Sequence, residues 1–149
     1  MIPREFPAEE AEYWMDELIQ EMEGGSFAPA FSRIIPNLQY AFGDNFDRAE
    51  GPMGAWAPHS PVTIAIHGPH PLLILTGDLL RSVTETGAAG SVQKVGDREM
   101  TLGTSLFYAG WQQRGTDKIP ARPFLWVDYS WLGEIGDEFA TGVSQILFG

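Results

Sequence analysis

Between Asp47 and Pro71 the chain carries five prolines and three glycines, together with its only three histidines, and no long helix or strand survives that density of backbone breaks. Proline fixes φ and removes a donor, while glycine weakens either regular structure. The segment is expected to run as a long surface excursion, with at most a short ordered turn at Pro61–Ile66. A loop of that length inside a compact domain is usually functional or ordered by a partner.

Helical spacing dominates what precedes it. Over residues 8–23, Ala11, Trp14, Met15, Leu18, Ile19 and Met22 share one face and acids fill the other, with Pro7 in the first turn and Gly24-Gly25 as the stop. Residues 28–46 repeat the spacing through Phe31, Ile34, Ile35, Leu38, Phe42 and Phe46. Pro36 removes a donor inside that run, so a kink or a fresh start is expected there.

After the loop, Thr76 can cap a helix beginning at Gly77, with Asp78 favoured by the dipole and Leu79, Leu80 and Val83 as its apolar side. SVTET, SVQKV and EMTLGT alternate like strands, with Gly96-Asp97 as a two-residue turn between the last two. Tyr108–Gln113 reads as a short helix ended by Gly115. Residues 119–126 read as extended, because Pro120 and Pro123 bias their predecessors away from helix. Residues 130–148 close the chain with a stripe of Leu132, Ile135, Phe139, Val143 and Ile146, weakened by Gly133, Gly136 and Gly142 at about 1 kcal/mol each. The sum is one α+β domain over residues 1–149. A small antiparallel sheet of about three to four strands packs with N-terminal, central and C-terminal helices, beside the long central loop.

Charge narrows the function. The chain of 149 residues has a net charge of −11, with eleven acids against three bases in residues 1–50, five against six in 51–126 and four against none in 127–149. It has no basic stripe to displace counterions from a phosphate backbone, which argues against sequence-reading or wrapping of DNA. Acidic surface keeps a protein soluble; lining a channel, it would also keep DNA from adhering. There is no cysteine, so disulfides, thiolate nucleophiles and zinc–thiolate sites are excluded. No apolar run approaches a membrane span, and the start lacks the pattern of a secretory signal, so synthesis in the cytoplasm is expected.

Catalytic constellations are hard to assemble. Glu85, Asp97, Glu99, Glu134 and Asp137 sit in polar contexts that give no reason for two carboxylates to titrate apart. Ser82, Ser105 and Ser130 lack nucleophile-elbow surroundings, and Gly87–Gly90 reads as a turn, not a phosphate loop. His59, His67 and His70 lie within twelve residues, but flanking prolines and glycines offer no element to align three imidazoles. They read as exposed loop histidines, with no metal or other cofactor expected. Arg122, pinned between two prolines, suits a bidentate contact to a carboxylate: an intersubunit salt bridge, or a brace within the chain. Trp111, Phe124, Trp126 and Trp131 suit an interface anchor or ordinary core packing.

Four segments in order carry a resemblance. They are Trp56, Pro58, Ser60 and Thr63; then Leu73, Thr76, Gly77, Leu79 and Ser82; then Tyr108, Ala109, Gln112 and Gly115; and last Pro120, Arg122, Pro123, Phe124 and Leu125. Together they resemble the virion-morphogenesis or tail-completion family of tailed bacteriophages. The likeness spans about half the chain. It departs at His67, where a basic residue is common, and after Leu125, where an acid-rich start shrinks to Asp128.

The resemblance implies a non-enzymatic virion component made in the host bacterial cytoplasm. It would assemble as a homo-oligomeric ring, expected to be a hexamer, at the neck or head-proximal end of the tail. Implied partners are a connector or head-closure protein and a tail terminator or tube protein, with phage DNA passing through the ring without sequence-specific binding. Ring closure needs heterologous contacts, and Asp47–Pro71 and Lys118–Leu125 are the candidate patches. A tail terminator or minor tail component is the neighbouring alternative; a small carboxylate- or metal-dependent hydrolase and a monomeric adaptor are alternatives of other classes.

Overall fold

The computed structural model describes Gln20 and residues 24–148, so the expected helix over 8–23 lies outside the described residues. The described chain is an α+β fold with two small antiparallel sheets of two strands each. In order its elements are α1 (Ala28–Arg48), β1 (Glu50–Gly51), β2 (Gly54–Ala55), α2 (Pro61–His67), α3 (Asp78–Thr84), β3 (Ser91–Val95), β4 (Met100–Thr104), α4 (Ala109–Arg114) and α5 (Tyr129–Phe148).

Helix α1 runs unbroken through Pro36, so the expected fresh start does not occur. Ser32 and Pro36 are both exposed, and the carbonyl that loses its donor can therefore be hydrated. The opposite face buries Ile34, Ile35, Phe42 and Phe46, and that burial holds the helix together across the proline. Ala49 ends it in the left-handed conformation, with φ of 50°.

The sheet is smaller than the alternation of residues suggests. Ser82–Thr84 of the expected first strand are the last turn of α3, because Leu79 and Val83, four apart, both reach the core. β3 and β4 pair in the register Ser91↔Thr104 to Val95↔Met100. The amide of Gly96 donates to the carbonyl of Glu99 at 2.8 Å, so the turn tip is Asp97-Arg98, one residue beyond the expected one. That tip is tied to the start of α1: the Phe27 amide donates to the Asp97 carbonyl at 2.8 Å, and the Arg98 guanidinium lies 5.1 Å from the Phe27 ring centre.

The core gathers Phe42 and Phe46 from α1, Trp56 from the loop, Leu79 and Val83 from α3, Ala109 from α4 and Phe124 from the proline-bracketed segment. Helix α5 lies along α1, with Phe31 and Phe139 in ring contact at 5.5 Å. Of its glycines, Gly142 is a close-approach residue and not simply a weak point. A Cβ there would sit 2.7 Å from the Ala30 Cα, whereas one on Gly136 meets open space. Gly142→Val is therefore expected to cost about 1–3 kcal/mol by prising the two helices apart. Gly136→Ala should instead add about 0.4–1 kcal/mol by restricting the unfolded chain. Denaturant midpoints of the two variants against the parent check the opposite signs. No helix among the described residues is long and apolar enough to cross a membrane.

Candidate functional site

The four motif segments, spread from residue 56 to residue 125, converge on one framework. Its centre is the extended segment Pro120–Leu125. Trp56 Nε1 donates to the Pro123 carbonyl at 2.9 Å, and its ring meets Phe46 edge-on at 5.7 Å. The Arg122 guanidinium turns back on the first motif, Nε donating to the Ala57 carbonyl at 2.8 Å and Nη2 to the Pro58 carbonyl at 3.0 Å. The Arg122 amide donates to the Gln112 carbonyl at 2.7 Å. Phe124 has no exposed surface, and its ring lies 5.6 Å from that of Phe46.

Arg122 is thus an intrachain brace. It is only 7 % exposed and its partners are carbonyls, so the alternative of an intersubunit bridge from Arg122 to a carboxylate does not hold. Burial lowers its pKa from the usual arginine range. Two successive backbone carbonyls take up the guanidinium fork, and a loop too rich in proline for its own ladder needs such an external donor.

The remaining motif residues have local reasons. Ser60 caps α2, its Oγ accepting from the Thr63 amide at 3.2 Å and lying 2.9 Å from Thr63 Oγ1, with Pro61 at the first helical position. Thr76 Oγ1 accepts from the Asp78 amide at 3.3 Å, while the cap position itself belongs to Gly77, not to Thr76. Gly77 has φ of 83°, a conformation that a side chain resists. Leu79 is in the core; Ser82 Oγ donates to its carbonyl at 2.7 Å and shares a hydrogen bond of 2.9 Å with Thr104 Oγ1. Gly115 ends α4 with φ of 74°, and a Cβ there would come 2.7 Å from the Ala121 nitrogen.

Two framework residues, Asn45 and Gln113, escaped the sequence reading, and Trp126 joins them in the framework. Asn45 Nδ2 donates to the carbonyls of Phe124 and Trp126 at 2.9 and 2.8 Å. Gln113 Oε1 accepts from the amides of Phe124 and Leu125 at 3.0 Å each. Trp126 Nε1 donates to the Glu50 carbonyl at 3.1 Å. The signal for Asn45 was present: a polar residue between Phe42 and Phe46 on an apolar helix face needs a partner.

The loop and the framework together enclose a cavity of about 660 Å³, walled by the first turns of α2 and α3, by Tyr108 and Gln112, and by Lys118–Pro120. Burial, with the Asp78 charge adding to it, raises the Tyr108 pKa. Leu73, in the left-handed region at φ of 61°, lines it too, a strained conformation for a branched side chain.

All three histidines line this cavity, although among the described residues no three such side chains converge as metal ligands, in keeping with the sequence expectation. The His59 and His70 rings lie 4.2 Å apart and those of His67 and His70 6.5 Å apart. The short helix α2 brings them to one wall. Capped by Ser60 and started by Pro61, it carries the chain from His59 to His67, and Gly68–Pro71 turns His70 back onto His59.

The aromatic group divides. Phe124 is core, and Trp126 and Trp131 are half-buried with their indole N–H groups bonded, but Trp111 is 48 % exposed. Beside it Phe107 is 79 % exposed, with edge-on contacts to both Tyr108 and Trp111. Val62, Ile64 and Ile66 on α2 are exposed as well. Searches against family models, curated proteins and solved structures find no match to the chain.

Proposed function

We propose that this protein is a structural component of a tailed-bacteriophage virion, acting in tail completion and head–tail joining as a homo-oligomeric ring at the neck or head-proximal end of the tail. The ordered motifs raise the idea, and the observation that carries it is the solvent-facing aromatic pair Phe107 and Trp111, in edge-on contact at 5.7 Å. Adjoining large apolar side chains left open to solvent mark an association surface. Phe107 and Trp111 are rigid aromatics of the kind that anchor interfaces.

In this reading the buried braces hold the aromatic pair in place, and the pair meets a different patch on the next copy, as ring closure requires. Six copies, each with net charge −11, would surround a passage through which DNA slides without adhering. Within Lys118–Leu125, Arg122 and Phe124 face inward, and Lys118, Pro120 and Ala121 are the residues left exposed for a contact. A tail-terminator position draws on the same surface and differs only in its neighbours.

Deleting the gene should leave filled heads and finished tails that fail to join; normal infectious particles from the deletion would refute the proposal. At the molecular level, Phe107→Ser with Trp111→Ser is expected to abolish self-association or incorporation into particles. The melting temperature should stay within a few degrees of the parent, since neither side chain contributes to the core. Light scattering and a thermal scan on the same samples check both halves.

A further inference from the structure

We propose that His59, His67 and His70 form a binding site for one divalent transition-metal ion of the zinc class. This goes beyond the assembly role and does not depend on it. The decisive atoms are the two Nε2 nitrogens of His59 and His70. Each is buried and has no hydrogen-bond partner, although the rings are only 4.2 Å apart. Buried imidazole nitrogens are normally satisfied, and these two belong to residues that line one cavity, together with Gln112, whose Oε1 is likewise unpartnered.

The tautomer of His70 supplies the chemistry. Its Nδ1 lies 2.9 Å from the Pro71 carbonyl, and a carbonyl can only accept, so Nδ1 carries the proton. In the neutral ring Nε2 is then a bare lone pair. A backbone carbonyl that fixes the far nitrogen of an imidazole is the usual outer support of a histidine metal ligand. What such lone pairs seek is a proton donor or a metal cation, and imidazole favours zinc, copper and nickel over calcium or magnesium.

Among the described residues, no three His, Asp or Glu side chains converge as they stand. His59 and His70 are the preformed pair. His67 is exposed at the last turn of α2, its ring 6.5 Å from that of His70, and the proposal requires it to rotate about its own side-chain bonds to serve as the third ligand. The cations on the cavity wall are Lys118 and Arg122, the latter committed to two carbonyls; Asp78 faces them from α3. The fourth position of a tetrahedral ion stays open to the cavity, the arrangement of a site that also takes water or an incoming oxygen or nitrogen donor.

The test uses the untagged full-length chain, stripped with chelator and titrated with Zn²⁺ and separately with Co²⁺. One equivalent should bind, with Co²⁺ giving the intense visible bands of a tetrahedral centre. His59→Ala and His70→Ala should each weaken Zn²⁺ binding by at least about tenfold, and His67→Ala should weaken it too. As a check independent of variant folding, Zn²⁺ should protect the three imidazoles of the parent from carbethoxylation, read by mass spectrometry. Substoichiometric binding, an affinity unchanged in His59→Ala or His70→Ala, or unprotected imidazoles would overturn the proposal and leave the two nitrogens to water.

Discussion

Phe124→Ala is expected to destabilise the protein by about 3–5 kcal/mol, the range for removing a large aromatic from a filled core. Phe124 is fully buried among residues of α1, α3, α4 and the loop. Its backbone is held at both ends, the amide by Gln113 and the carbonyl by Asn45, so the segment cannot slide inward to fill the space. The cost should therefore fall at the upper end of the range, where relaxation is least. A chain of this size loses roughly 2–4 °C of melting temperature per kcal/mol, so calorimetry should show a drop of about 6–20 °C. Phe124→Leu, which keeps most of the volume, should cost clearly less. Equal losses for the two would mean that the ring is not packed as described.

Arg122→Met is expected to cost about 2–4 kcal/mol by a different route. Methionine keeps much of the apolar stem but deprives the Ala57 and Pro58 carbonyls of their donors, at about 1–3 kcal/mol for each acceptor left unpaired in a buried position. Pro58 is exposed, so its carbonyl recovers part of the loss from water. Arg122→Lys should fall between, because an ammonium retains the charge but not the two-pronged fork. The local signature separates this variant from Phe124→Ala: limited proteolysis should cut between Ala57 and Pro71 sooner in Arg122→Met at matched global stability. A loop no more sensitive than the parent's would deny Arg122 its bracing role.

Sequence spacing located the long elements well because their cause is local. Phe42 and Phe46, or Ile135 and Phe139, mark a buried face at helical period wherever the partner lies. It misread Ser82–Thr84 as strand because a few residues of alternating polarity fit either period, and only the core position of Val83 decides between them. It expected a break at Pro36 because the exposure that makes the lost hydrogen bond tolerable is a tertiary fact. For the candidate site, the motif residues could be singled out, but not what they do. Arg122 looked free to meet a carboxylate because nothing local shows that residues 57 and 58 fold back over it. That the three histidines line one cavity was not legible because proline and glycine hide register, whereas Ser60, Pro61 and Thr63 together spell a capped helix start that sets it.

In the proposed role the internally braced framework presents the exposed Phe107–Trp111 pair to further copies of the chain. An image of the intact particle at side-chain resolution tests this most directly. It should show a closed ring at the neck or the head-proximal end of the tail, with Phe107 and Trp111 buried between neighbouring copies. A particle lacking the protein, or a ring in which those side chains face solvent, would contradict it.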